Sequence, residues 1–145
     1  MISVIQRVKT ASVSINNKLY SKIDKGILVL LGVEKGDDND KAVYLADKIS
    51  ELRIFEDENG KMNLSALDIN AEILVVSQFT LAGSCVKGKR PSFDNAESPE
   101  KAKELYEQFV RLISDKGLKT KTGKFAAMMD VSLINDGPVT FIISK

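Results

Sequence analysis

The chain has 145 residues, 43% of them hydrophobic and 28% charged, enough for one domain with a sizeable core and far from the composition of a disordered chain. It contains no histidine and one cysteine, Cys85, which excludes imidazole-based catalysis, a Cys/His zinc site within one chain and an internal disulfide. With 21 basic and 20 acidic residues the net charge is +1, so a polyanion would have to be met by a local patch.

The first eight residues lack the basic n-region, apolar h-region and cleavage site of a secretory signal, and the longest apolar run, residues 27–33, is far too short to span a membrane. A reducing, cytoplasmic setting is expected, with no membrane partner. In chain order, residues 2–15, 18–23 and 26–33 predict three strands from their apolar or alternating pattern. Asp37, Asp38 and Asp40 are suited to start a helix, and Ala42, Leu45, Ala46, Ile49 and Leu52 follow at helical spacing. Asn59-Gly60 then predicts a hairpin turn in which both residues take positive φ.

Residues 72–80 predict a central strand, apolar through Ile73, Leu74, Val75 and Val76. Residues 82–97, rich in Gly, Ser, Lys and Arg, predict a long irregular loop. Ser98 as cap and Pro99 at the first position open a second helix with Ala102, Leu105, Tyr106, Phe109, Leu112 and Ile113 on one face, ended by Gly117. Residues 118–122, 126–134 and 139–144 predict closing strands, with 135–138 (Asn-Asp-Gly-Pro) as the turn between the last two. Strands outnumber helices and the helices are far apart, so the pattern favours an α+β sheet or barrel over a doubly wound sheet, in a single domain covering residues 1–145.

Without histidine, candidate nucleophiles and bases are hydroxyls, carboxylates, lysines, Cys85 and groups of the substrate itself. Ser77, Gln78, Phe79 and Thr80 close a buried strand just before the long loop, where scaffolds commonly end and sites begin. Alternation places Gln78 and Thr80 on one face, where an amide and a hydroxyl can orient a polar group or hold an oxyanion; the same residues also read as an ordinary polar strand end. Lys87, Lys89 and Arg90 form a compact basic loop that either meets phosphates or is simply solvated, and Lys116, Lys119, Lys121 and Lys124 carry the same two readings. Phe125 and Met129, four apart at the start of a predicted extended segment, read as core packing. No metal-ligand cluster is apparent, Gly137-Pro138 reads by default as a trans turn, and Cys85 as an ordinary free thiol.

Residues 5–8 (IQRV), 26–35, 61–64 (KMNL), 76–81, 90–93 (RPSF) and 135–141 together resemble the D-aminoacyl-tRNA deacylases, also known as the D-tyrosyl-tRNA deacylase family. SQFTL at 77–81 and NDGPVT at 135–140 look like that family's signatures in their usual order. The resemblance implies a barrel-like, mostly antiparallel α+β domain with two main helices, acting as a homodimer whose site lies at the subunit interface. The implied reaction is hydrolysis of the ester joining a D-amino acid, or glycine, to the terminal ribose of tRNA, a chiral proofreading step in translation that needs no cofactor, metal or DNA. By the same resemblance Ser77, Gln78, Phe79 and Thr80 form the reacting site, with backbone amides near Phe79 and Thr80 on the oxyanion and the ribose 2′-hydroxyl assisting attack. Gly137-Pro138 is implied to be cis and to exclude L side chains across the dimer, and Phe125 and Met129 to line a pocket for the terminal adenine. Lys87, Lys89 and Arg90 are expected on the tRNA backbone. Loop residues 82–86 vary among such proteins, and Cys85 acquires no role.

Overall fold

The computed structural model describes all residues, 1–145. Strands β1 (Ile2–Ile15), β2 (Lys18–Ile23) and β3 (Gly26–Gly32) open the chain as expected, β2 and β3 pairing antiparallel with β1 end to end along one of its edges, β3 over residues 2–8 and β2 over residues 11–15. Helix α1 (Asn39–Glu51) starts where Asp38 accepts the Lys41 N–H at 3.1 Å and buries Ala42, Leu45, Ala46 and Ile49; Leu52 falls one residue beyond its end. A hairpin follows between β4 (Phe55–Glu56) and β5 (Met62–Leu64). Its turn differs from the prediction: only Gly60 has positive φ, and Asn59 is instead held by its N–H on Asp57 Oδ1 at 2.9 Å.

Strand β6 (Glu72–Ser77) runs parallel to β3 and to β7 (Thr120–Thr122), extending the sheet as β1-β3-β6-β7. The sheet is therefore mixed, its antiparallel pairs all made by β1. Both β3 and β6 are covered on two faces, which is why they read as continuous apolar runs rather than alternating ones. One face packs Ile27, Val29, Ile73 and Val75 under α1 and α2 (Pro99–Asp115); the other packs Leu28, Leu74 and Val76 with Val8, Ala11, Val13 and Ile23. The sheet coils strongly beyond β3, so that Ser21 Oγ on β2 donates to the Thr122 carbonyl on β7 at 2.8 Å, and the shape is nearly closed and barrel-like.

Helix α2 begins with Pro99 as expected, but the Ser98 side chain makes no capping bond; its N–H donates to Glu97 Oε1 at 2.8 Å. The largest departure is at the end of the chain. Residues 130–144 form one strand, β8 (Asp130–Ser144), along the free edge of β1, and residues 135–138 are not a turn between two strands. Val8 pairs with Asn135 and Gln6 with Thr140, so four residues of β8 bulge out opposite the single residue Arg7. Asn, Gly and Pro are the residues such an extrusion needs, and a local reading of them cannot tell it from a turn. The predicted extended segment also begins late: Phe125, Ala126 and Ala127 turn, with φ of +58° at Ala126, before β8 starts at Asp130.

Candidate active site

Strand β6 stops at Ser77, and the Gln78 N–H donates to the Leu31 carbonyl at 2.8 Å before the chain enters a one-turn 3-10 helix, Phe79–Ala82. Gln78 and Thr80 meet because of this turn, not through strand alternation: Gln78 Nε2 donates to Thr80 Oγ1. An amide donor cannot accept the hydroxyl proton, and no carboxylate or amine bonds to Thr80, so its oxygen has no general base in this chain. Phe79 and Thr80 are exposed, Ser77 and Gln78 half-buried.

Beside this turn opens a cavity of about 540 Å³, lined by Ser77, Gln78 and Phe79 on one side and by Phe125 and Met129 on the other. Glu97 is its one charged lining residue; the rest is mainly apolar. Phe125 packs on Tyr106 with ring centroids 5.8 Å apart, and the Tyr106 hydroxyl donates to the Val75 carbonyl at 2.9 Å, so the wall is anchored to the core. Met129 Sδ accepts the Lys124 N–H at 3.2 Å and lies 2.8 Å from where a Cβ on Gly123 would stand, an approach only glycine permits. A flat aromatic face and a polarizable thioether opposite an amide make this a suitable seat for a planar heterocycle.

The cavity does not include Thr80, which stands at its edge through Gln78, nor Gly137, Pro138, Lys87, Lys89 or Arg90. The three basic residues are exposed and free of ion pairs, in a loop closed by paired Ser84 and Ser92 backbone bonds of 2.8 and 2.9 Å. Phe93, just after the loop, packs on Phe79 at 5.0 Å between ring centroids and ties the loop to the 3-10 turn. Cys85 is an exposed free thiol.

The Gly137-Pro138 bond is cis, and both residues are exposed. Arg7 holds this segment from beneath: its Nε donates to the Asp136 carbonyl at 2.9 Å and its Nη1 to the Ile54 carbonyl at 2.7 Å, with Asp136 and Glu56 carboxylates at 3.4 and 3.5 Å. Val139 N–H donates to Asn135 Oδ1 at 2.8 Å, and Asn135 Nδ2 to Thr140 Oγ1 at 2.8 Å, closing the base of the bulge. Residue-level reading did not single out Arg7. The available signal was its position: it shares the inward-facing parity of Ser3 and Ile5, where a charge must be paired to be tolerated.

Along the sheet the two features stand apart. The 3-10 turn abuts the end of β3 that pairs with Ile2, whereas the bulge faces Arg7, five residues or roughly 16 Å further along β1 at about 3.3 Å per residue.

The architecture is a single barrel-like α+β domain with a polar strand end beside an apolar cavity, and it recurs in solved structures. One described as "Structural Analysis of a probable eukaryotic D-amino acid tRNA deacylase" superposes over 99% of this chain and 98% of its own with a TM-score of 0.85 at 16% identity, a likeness of fold. Another, described as "c-Myc DNA Unwinding Element Binding Protein", covers 100% of this chain and 99% of its own with a TM-score of 0.94 and 41% identity. Proteins named D-aminoacyl-tRNA deacylase from Persephonella marina and Desulfatibacillum aliphaticivorans are 60% and 59% identical over all 145 residues, covering 98% and 99% of those proteins. The family described as D-Tyr-tRNA(Tyr) deacylase matches residues 4–144, and the chain belongs to it.

Proposed function

We propose that this chain hydrolyses the ester between a D-amino acid, or glycine, and the terminal ribose of tRNA, releasing tRNA and the free amino acid as a proofreading step in the cytoplasm. The observation that carries the reading is the cavity joining the 77–79 strand end to Phe125 and Met129: it offers an adenine-sized apolar seat directly beside polar groups that can meet an ester. Water adds to the ester carbonyl, the resulting oxyanion is held by the backbone amides near Phe79 and Thr80, and collapse expels the ribose oxygen, which takes up a proton. The absence of a base at Thr80 favours assistance from the neighbouring ribose 2′-hydroxyl over attack by Thr80 itself.

In this reading, Gly137 and Pro138 screen chirality by presenting rigid backbone carbonyls to the α-amino group and leaving no room for an L side chain. Their separation from the 3-10 turn within one chain favours delivery from a second copy, in a homodimer with the site at the interface. Lys87, Lys89 and Arg90 hold the acceptor-stem backbone.

The test is amino-acid release from paired D- and L-aminoacyl-tRNAs of the same side chain, with catalytic protein and a Thr80→Ala variant. Multiple turnovers on the D ester alone, retained in the variant, are the expected result; an inactive variant would return Thr80 to the chemistry. The relative named as a DNA unwinding element binding protein supports a second reading, nucleic-acid binding without turnover. Binding of tRNA or duplex DNA with neither ester cleaved would establish that reading instead.

A further inference from the structure

A second cavity, of about 520 Å³, lies between α2 and β7, with Lys103, Glu107, Arg111 and Lys124 around it and Tyr20 at its side. Phe125 lines this cavity and the first one, so its anchored ring is the wall they share. Their chemistry is opposite. The first contains a single charged residue, the acidic Glu97, and nothing that could neutralise a phosphate. The second has three cations against one carboxylate.

Those cations are unevenly committed. Lys103 faces Glu107 at 3.8 Å, but Arg111 Nη2 donates to the neutral Gln108 Oε1 at 2.7 Å and Lys124 has no anionic partner. By contrast Lys101, Lys116 and Lys119, outside the cleft, are each paired with a carboxylate. Uncompensated positive charge beside an exposed tyrosine ring is the pattern that tracks a single-stranded backbone and stacks its bases.

We propose that this cleft binds the phosphodiester backbone of the unpaired 3′ strand just before the terminal adenosine, with Arg111 and Lys124 on the phosphates and Tyr20 against a base. The inference rests on the deacylase reading, in which the adenine sits against Phe125. The strand leading to that adenine continues from its ribose out of the apolar cavity, and the charged cleft lies across the Phe125 ring from that cavity. The basic loop at Lys87, Lys89 and Arg90 remains for the more distant duplex.

The test compares wild type with an Arg111→Ala/Lys124→Ala double variant on D-aminoacyl-tRNA and on the D-aminoacyl ester of adenosine, which has no phosphate. Both side chains are exposed, so a matching thermal melt is expected to verify folding. On tRNA the variant should show KM about tenfold higher with kcat little changed, because counterion release gives about threefold per phosphate contact at moderate salt. Its log–log salt slope should be shallower by roughly 1.4, at about 0.7 per single-strand phosphate. An Arg111→Lys/Lys124→Arg variant should recover most of the KM, and the adenosine ester should be cleaved as by wild type. An unchanged KM and salt slope on tRNA, or an equal loss on both esters, would overturn the proposal. Wild type cleaving neither ester would instead overturn the deacylase reading on which it stands.

Discussion

Gly137 offers the sharpest test of how the bulge works, because the cost of a single methyl group there follows from the geometry. Its φ of +137° lies where L residues are strained, and a Cβ would stand 2.6 Å from Val139 Cγ2, 3.0 Å from the Val139 nitrogen and 3.2 Å from Arg7 Nη2. Backbone strain of this kind costs about 1–3 kcal/mol. Val139 is buried and its N–H is committed to Asn135, so relief requires moving the Arg7-held segment rather than rotating one side chain. For Gly137→Ala we expect a loss of about 2 kcal/mol and a Tm lowered by roughly 6–8 °C, at about 3–4 °C per kcal/mol for a chain of this size. If the segment's carbonyls position the substrate amine, a shift near 1 Å should lower kcat/KM on a D-aminoacyl-tRNA about 100-fold. A thermal melt and paired D and L ester assays read both effects. Wild-type Tm and an unchanged D-to-L ratio would refute the reasoning; a lowered Tm with full D activity would refute the functional half alone.

Two further predictions concern charge. Asp37 is 2% exposed; burial pushes its carboxyl up, but bonds from the Met1 ammonium at 2.6 Å, the Glu34 N–H at 2.7 Å and Lys41 Nζ at 3.0 Å outweigh it and hold the group below the ordinary aspartate range. A folded value below the unfolded value of about 3.9 means stability that is full above pH 5 and is lost as pH falls through the folded value. Asp37→Asn should therefore cost about 3–5 kcal/mol at pH 7 in denaturant unfolding, as when one partner of a buried ion pair is removed, and should flatten the acid limb below pH 4. Equal midpoints at pH 7 would contradict this. Replacing Lys87, Lys89 and Arg90 together by alanine should reduce the salt slope of tRNA binding by roughly 2.7, at about 0.9 per duplex phosphate; an unchanged slope in a filter-binding series would remove the loop from the interface.

How much of this was legible in the sequence depended on whether the controlling signal was local. The β3 and β6 runs, the helix with Pro99 at its first turn and the β4–β5 hairpin were visible because periodicity and turn residues act over a few positions. Parallel pairing of β3, β6 and β7 was not, since an apolar run looks the same whichever way its neighbour points. The same limit applied at the site. Gln78 and Thr80 were expected to meet, and they do, yet through a 3-10 turn that no alternation implies. Phe125 and Met129 read as core until the fold placed them across a cavity from Gln78. Arg7 passed unremarked because its partners, Ile54 and Asp136, are 47 and 129 residues away.

The stretch Asn135 to Pro138 shows the physical reason most clearly. Its residues supply flexibility, a missing N–H and a side-chain acceptor, which serve a tight turn and a bulge equally well. What decides between them is the partner: β1 is 14 residues long and offers pairing both before and after the interruption, so β8 resumes its ladder after the bulge instead of reversing. A reversal would have folded these residues back over their own chain; the bulge instead projects them from a free strand edge, roughly 16 Å along the sheet from the 3-10 turn, as counted by register. Under the proposed reading both features must touch one aminoacyl group, and two points held five residues apart along one paired strand cannot come together. An exposed, rigidly buttressed projection on an unpaired edge is the arrangement by which a second copy of the chain could complete the site of the first.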